Sequence, residues 1–409
     1  MFDNNEIEEK VILVAVDLDN GEDIDVNLNE LKELVKTAGA AVVGKMVQKK
    51  DTIDKGTYIG SGKIEELRDL ILELGATGIV CDDELSPMQI RNMEDELDTK
   101  IMDRTMVILD IFASRANTRE GKIQVELAQL RYQSSRLIGM RKSLSRLGGG
   151  IGTRGPGEKK LEVDRRIIRD RISQLKSELD DVITHRETMR KQRMAGKLPI
   201  VSIVGYTNAG KSTLLNSLTD AGVLEEDKLF ATLDPTSRNY ILSNGQEIII
   251  TDTVGFIKKL PHHLIKAFRS TLEEAKYADI ILHVVDISNP NVDEQIITVY
   301  ETLKQLEITD KPIITLFNKI DKVEEIPIIK DFNADVIINI SAKKQIGFDE
   351  ISNAIADIIN NSRTYIEKTV PYNEAGIINK IRNSGTLLEE DYREDGIFIR
   401  AYVDKSLGL

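Results

Sequence analysis

The octapeptide GYTNAGKS, Gly205 to Ser212, stands between the apolar run PIVSIV and the pattern TLLNSL. A glycine-rich turn that enters a helix lets successive backbone N–H groups surround a phosphate at the positive end of the helix dipole. Read this way, Gly205, Tyr206, Thr207, Asn208, Ala209 and Gly210 wrap the phosphates and Lys211 reaches the β- and γ-phosphates. The Ser212 hydroxyl then ligates Mg²⁺. The motif by itself does not separate ATP from GTP. Base choice is read from NKID, Asn318, Lys319, Ile320 and Asp321, which follows the strand pattern PIITLF. The Asp321 carboxylate can accept two hydrogen bonds from guanine N1 and N2, which adenine does not offer, while Asn318 and Lys319 brace the loop and cover the base. SAK, Ser341, Ala342 and Lys343, after VIINI, fits a loop whose backbone N–H meets guanine O6.

DTVG, Asp252, Thr253, Val254 and Gly255, follows EIIIT. Asp252 can hold Mg²⁺ through water and the Gly255 N–H can bond the γ-phosphate, so this loop senses that phosphate. Upstream, LFATLDPTSR brings Phe230, Ala231, Thr232, Leu233 and Asp234 to the nucleotide and offers two hydroxyls, Thr232 and Thr236, that could close onto Mg²⁺. Thr232 is preferred because its place twenty residues before Asp252 resembles the switch spacing of small GTPases, whereas Thr236 follows Pro235 and reads as a turn residue. Lys211, Thr232 and Gly255 are then the catalytic set. After Gly255 comes Phe256, where a Gln that orients the attacking water typically stands. A phenyl ring cannot hydrogen-bond water, so slow intrinsic turnover is expected and the site must be completed from elsewhere. Two sources are a partner that orders Thr232 and its loop, and a potassium ion held by Asn208 in the part of an arginine finger.

The rest of the chain must position these residues. At 409 residues it is long enough for two to four domains, and 41% hydrophobic with 30% charged residues is ordinary for a soluble globular protein. The longest apolar runs, such as Ile280 to Val285, are strand-sized and far below the roughly 20 residues that span a bilayer. The acidic start MFDNNEIEEK is unlike a secretory signal, and the single Cys81 suits a reducing cytosol. Net charge is −13, yet Arg115 to Arg171 holds fifteen Lys or Arg against six Asp or Glu. That stretch carries about +9 and the remainder about −22.

Residues 1–115 alternate strand and helix patterns and read as a small α/β domain with a largely parallel sheet, in which IMDRTMVILDIF supplies a strand-like run. Residues 116–197 carry two apolar stripes, Ile123 to Leu144 and Ile168 to Val182, at spacings of three and four. This predicts a basic helical hairpin, with an exposed glycine-rich loop at 148–157 between its helices. Residues 198–364 form the nucleotide domain. Residues 365–409, a helix followed by one or two strands, look too short for a full core and are expected to lean on it. The predicted fold class is α/β: a P-loop domain with a mixed, mostly parallel sheet, preceded by the small α/β domain and the hairpin and followed by a short α+β segment. GSGK, Gly60 to Lys63, lacks the span and the Ser or Thr of a P-loop and reads as a tight turn or an RNA contact. Cys81 reads as a small core residue, and no pattern around the four histidines implies zinc.

The nucleotide motifs in this order are similar to those of translation-factor-type GTPases. FATLDPT, DTVGFI, CDDELSPMQIRNMED, DRTMVILDIFASRANTREGKIQVELAQL and GGGIGTRGPGEKKLEVDRRIIRDRI resemble the HflX family of ribosome-associated GTPases, over about residues 10 to 365. One departure is YQSSRLIGM, Tyr132 to Met140, with serines where the family pattern carries a proline, which leaves the bend of the first hairpin helix open. The resemblance implies a cytoplasmic protein that binds GTP and GDP, and a monomer is the expected state in solution. In its GTP form it would join the large ribosomal subunit and split or rescue stalled ribosomes under stress. The hairpin's charge points the same way, since Arg141, Lys142, Arg146, Arg154, Lys159 and Lys160 could neutralise ribosomal RNA phosphates. A second reading is a nucleotide-gated scaffold on RNA or a larger complex, with negligible hydrolysis.

Overall fold

Short apolar runs that are buried along their whole length belong to strands covered on both faces. The first sheet holds β1 (Lys10–Asp17), β3 (Gly78–Cys81) and β4 (Lys100–Asp103), whose apolar residues are buried, and the half-buried edge strand β2 (Ala41–Lys49), all parallel in the order β2-β1-β3-β4. Between them run α1 (Ile24–Thr37), α2 (Ser61–Leu74) and α3 (Pro87–Leu97). One face of the sheet packs Ile12, Val14, Ile79 and Cys81 against Ile64 and Leu67 of α2 and Ile90 and Met93 of α3. Cys81 is a core residue of that face. The helix starts are locally encoded: Asp23 accepts from the Asp25 and Val26 N–H groups, and Ser86 with Gln89 forms a capping box around Pro87. GSGK is the turn into α2, where the Gly60 N–H donates to Gln48 Oε1 at 2.8 Å and Lys63 pairs with Glu66.

The computed structural model describes residues 9–19, 21, 23–147, 156–194, 198–219, 229–230, 233, 235–260, 274–361, 364–374, 376–393 and 395–403, with side chains at 137–147, 156–161, 185–194, 364, 380, 383, 384 and 386 left aside. By contact the chain forms two compact units. The first is Met1–Asp181 with Asp227–Leu233 and Lys259–Phe268; the second is Val182–Glu226, Asp234–Lys258 and Arg269–Leu409.

One expectation in the first unit fails. IMDRTMVILDIF is not a single strand-like run but β4 followed at once by α4 (Arg104–Arg115), because the Asp103 side chain accepts from the Met106 N–H and caps a helix there. Beyond α4, α5 (Arg119–Leu147) runs without interruption through the YQSSRLIGM segment, and α6 (Pro156–Met194) follows. Arg171 grips Glu126 with two bonds, Nε to Oε1 at 2.7 Å and Nη2 to Oε2 at 3.0 Å, and Leu175 lies with Ile123. As one residue number rises the other falls, so the two helices are antiparallel over this stretch, the expected hairpin. The first unit also contains a buried charge cluster. Arg104, 1% exposed, bonds Asp82 at 2.7 Å, and the Lys259 ammonium reaches Asp82 at 2.5 Å and Asp83 at 2.7 Å.

In the second unit six strands lie in the order β10-β9-β8-β5-β7-β6. They are β5 (Ile200–Gly205), β6 (Thr236–Ile241), β7 (Glu247–Asp252), β8 (Ile280–Asp286), β9 (Ile313–Asn318) and β10 (Val336–Asn339). Only the edge strand β6 runs antiparallel to its neighbour, so the sheet is mixed and mostly parallel. Helices α7 (Lys211–Thr219), α8 (Val292–Gln305) and α9 (Phe348–Asn361) accompany it. The last segment differs from expectation. An antiparallel sheet of β11 (Thr364–Val370), β13 (Gly396–Val403) and β12 (Thr386–Arg393) with α10 (Gly376–Ser384) closes its own small core of Val370, Ile378, Ile381, Ile397, Ile399, Ala401 and Val403. The extra strand β11 supplies the apolar face that a helix and two strands would lack. Among the described residues no helix is long and apolar enough to cross a membrane, and no group of His, Cys, Asp and Glu is placed to hold a metal by itself.

Candidate nucleotide site

The glycine-rich turn Gly205 to Gly210 links β5 to α7, and its two glycines are sterically obligatory. A Cβ on Gly205 would stand 2.3 Å from the Val284 carbonyl oxygen, and one on Gly210, at φ +98°, would stand 2.3 Å from Asn318 Nδ2. Asn208, at φ 61°, is exposed. At the start of α7 the Lys211 ammonium is buried and donates to the Tyr206 carbonyl at 2.8 Å. Burial, with the nearby Lys319 charge, takes its pKa down to about 8 despite the attraction of Asp252. The next residue, Ser212, donates its hydroxyl to Asp252 Oδ2 at 2.8 Å, which sets two hard oxygens side by side at the end of β7. Such a pair suits a small hard cation like Mg²⁺.

The loop after β7 is tied to the turn through its backbone. The Thr207 N–H donates to the Phe256 carbonyl at 2.8 Å, and the Phe256 N–H donates to the Gly205 carbonyl at 3.1 Å. The Phe256 ring itself is 1% exposed. Gly255 has no room for a side chain, since a Cβ would come within 2.9 Å of Lys211 Nζ and of Thr207. Thr253 turns inward and donates to the Ile203 carbonyl at 2.7 Å, and Val254 is buried, so these two shape the loop from below.

The NKID and SAK segments close the other side. Asn318, at the end of β9, donates from Nδ2 to the Ala209 carbonyl at 2.8 Å and accepts the Ala342 N–H at Oδ1 at 2.9 Å, joining three loops with one amide. Lys319, at φ 68°, donates to the Asn208 carbonyl at 2.8 Å and to Asp286 at 2.6 Å. Ser341 donates its hydroxyl to Asp321 at 2.6 Å, and this bond leads the effects that lower the Asp321 pKa. Ile320 opens the short helical turn that carries Asp321, and Lys343 is exposed beyond Ala342.

The structure therefore brings together Gly205 to Ser212, Asp252 to Gly255, Asn318 to Asp321 and Ser341 to Lys343. Phe230 and Leu233 belong instead to the first unit, where the Phe230 ring meets Phe112 edge-on at 4.7 Å. Ala231, Thr232, Asp234 and Arg154 lie outside the described residues, as do the side chains of Arg141, Lys142, Arg146, Lys159 and Lys160. Thr236 is not a turn residue: it opens β6 and pairs with Asp252 in the ladder. Sequence reading missed Asp286, the counter-ion of Lys319, whose only signal is a carboxylate closing the apolar run IILHVV. It also missed the buried set around Asp331, which accepts the Thr315 hydroxyl at 2.7 Å and the Tyr300 hydroxyl at 2.8 Å, with His283 Nδ1 at 3.6 Å.

A strand, a glycine-rich turn and a helix, with an Mg²⁺-type carboxylate across from the turn and Asn-Lys-x-Asp on a nearby parallel strand, define a P-loop GTPase. Comparison with known proteins narrows the class. Residues 25–113 match the GTP-binding GTPase N-terminal family, 115–193 the GTP-binding GTPase Middle Region and 200–319 the 50S ribosome-binding GTPase family. GTPase HflX of Lacrimispora saccharolytica is 64% identical over 100% of this chain and 96% of its own. GTPase HflX of Escherichia coli is 38% identical over 97% and 93%. A GTP-binding protein from Sulfolobus solfataricus, solved with GDP, is 23% identical over 86% of this chain and 99% of its own, with a TM-score of 0.45. The chain belongs to the HflX family of GTPases and is a GTP-binding, GTP-hydrolysing protein.

Proposed function

We propose that this GTPase joins the large ribosomal subunit, and 70S-type ribosomes, in its GTP form and splits or rescues stalled ribosomes under stress, with its own turnover slow until the ribosome completes the site. The observation that carries this reading is Phe256. The residue that follows the γ-phosphate-sensing glycine is a phenyl ring, 1% exposed, whose backbone is tied to the P-loop. It has no group with which to orient water, so a partner must supply the missing order.

In this account the P-loop backbone from Gly205 to Gly210 binds the phosphates and Lys211 neutralises the transferred charge. Asp321, set by Ser341, reads guanine. Gly255 meets the γ-phosphate through its N–H, and Thr232 closes from its loop. Ser212 and Asp252, 2.8 Å apart, fit Mg²⁺, held by Ser212 directly and by Asp252 through water. When bound it would offset the negative charge of the phosphates. Asn208, exposed beside the turn, is the proposed holder of potassium as a secondary activator; equal turnover in sodium and potassium would remove that ion from the account. The basic hairpin of α5 and α6 would carry the protein into ribosomal RNA through Arg141, Lys142, Arg146, Arg154, Lys159 and Lys160.

Co-sedimentation with purified large subunits tests this. Binding with a non-hydrolysable GTP analogue should exceed binding with GDP by at least about tenfold, the scale of a switch worth 1–3 kcal/mol. Equal binding in both nucleotide states would contradict a GTP-gated ribosome factor. Undetectable binding in both would favour the scaffold reading on a different partner.

A further inference from the structure

The segment after NKID, VEEIPIIKDF from Val323 to Phe332, is built to hold apolar side chains in water. Ile328 is 93% exposed and Phe332 89%, the two most exposed large apolar side chains among the described residues, and Ile326 beside them is 48% exposed. This is not a loose tip. Asp331 between them is 6% exposed and accepts the Thr315 and Tyr300 hydroxyls, while its Oδ1 takes the Asn333 N–H at 3.1 Å. Ile329 turns inward onto the cluster of Val285, Ile287, Val292, Ile296 and Phe317, and its N–H bonds the Pro327 carbonyl at 3.0 Å. Alternate residues are thus anchored inward at 329 and 331, and the residues flanking each anchor face water. Pro327 stiffens the approach and lowers the cost of ordering it further.

We propose that Ile326, Ile328 and Phe332 form a docking knob for a basic protein of the large ribosomal subunit, one that offers an apolar socket with Lys or Arg at its rim. The charge around the knob selects this partner class. Glu324, Glu325 and Asp335 are exposed beside it and outnumber Lys322 and Lys330, so RNA phosphates are disfavoured while a cationic protein rim is attracted. An aromatic side chain such as Phe332 is of the type enriched at protein interfaces, and one fixed before contact loses less freedom on binding. The proposal rests on the ribosome-binding reading and is tested so that the two fail separately.

The experiment uses the full chain and purified large subunits with a non-hydrolysable GTP analogue. A photoreactive benzoylphenylalanine at position 332 should crosslink to a basic ribosomal protein. The double variant Ile328→Ala, Phe332→Ala should bind subunits at least about tenfold more weakly, with GTP affinity and thermal unfolding unchanged. Binding by wild type and double variant at equal affinity would overturn the knob alone, as would crosslinks confined to ribosomal RNA or to a second copy of the chain. Failure of the wild type to bind subunits at all would overturn the ribosome reading and the knob with it.

Discussion

Lys211 shows how much a single residue's chemistry depends on its setting. Its ammonium is buried, 2.8 Å from the Tyr206 carbonyl, and burial with the Lys319 charge outweighs the attraction of Asp252 and takes its pKa down to about 8. A phosphate beside it would favour the charged form again, so nucleotide binding should take up a proton increasingly as pH rises above 8. Titration calorimetry of GDP binding at pH 8.5 in buffers of different ionisation enthalpy measures this directly; a binding heat independent of buffer would contradict it. A second residue-scale test concerns Asp331. Burial alone would push this carboxyl up, but the His283 imidazole and the Thr315 and Tyr300 hydroxyls outweigh it and leave it at about 2. The depressed value means stability that is present above the ordinary 3.8 and lost as pH falls through about 2. Tyr300→Phe removes one donor to that carboxylate and should cost about 1–2 kcal/mol in denaturant unfolding at pH 7. An unchanged midpoint would show that the bond is not contributing. The nucleotide residues were legible because a glycine turn, a lysine and an Asn-Lys-x-Asp carry their geometry in their spacing. Asp331 and His283 were not, since each is one polar residue whose partners lie far along the chain, at Tyr300 and Thr315 in the first case.

At the scale of elements, the runs whose ends carry punctuation were read correctly and the ambiguous ones were not. Ser86 with Pro87 and Gln89 announces α3, and the alternation of strands and helices announces the parallel sheet. IMDRTMVILDIF is apolar enough for either state, and the Asp103 cap decides for a helix from Arg104 onward. The C-terminal core was underestimated because the run at its start, β11, was not counted as a strand ahead of the helix. The hairpin of α5 and α6 is the element on which the ribosome account depends. Its antiparallel pairing is marked by Arg171 on Glu126 and by buried Leu175 beside Ile123, all outside the glycine-rich loop, so charges near that loop can be changed without touching these contacts. Lys159→Glu with Lys160→Glu should reduce the salt dependence of subunit binding by about one unit of log slope per lost phosphate contact and leave GTP affinity intact. Co-sedimentation from low to moderate salt reads this out, and a slope equal to wild type would place the RNA contact elsewhere.

For the molecule as a whole, the asymmetry of charge is the feature that composition averages away. A chain of net charge −13 holds a stretch of about +9 between Arg115 and Arg171, and that stretch covers α5 and the first part of α6. A net-acidic chain with one basic segment suits a protein that approaches RNA in one orientation only. The acidic remainder includes the GTPase sheet, where Phe256 has no group with which to orient water; on the proposed function the basic segment would bind ribosomal RNA and that binding would complete the nucleotide site. The most direct test is GTP turnover by the full chain in potassium buffer, with and without purified large ribosomal subunits, beside a variant lacking Gly148 to Gly157. The account predicts stimulation of at least about tenfold, an easing of the barrier by roughly 1.4 kcal/mol or more, and its loss in the variant, whose unstimulated rate stays that of wild type. Turnover that is the same with and without subunits, while GTP remains tightly bound, would contradict it.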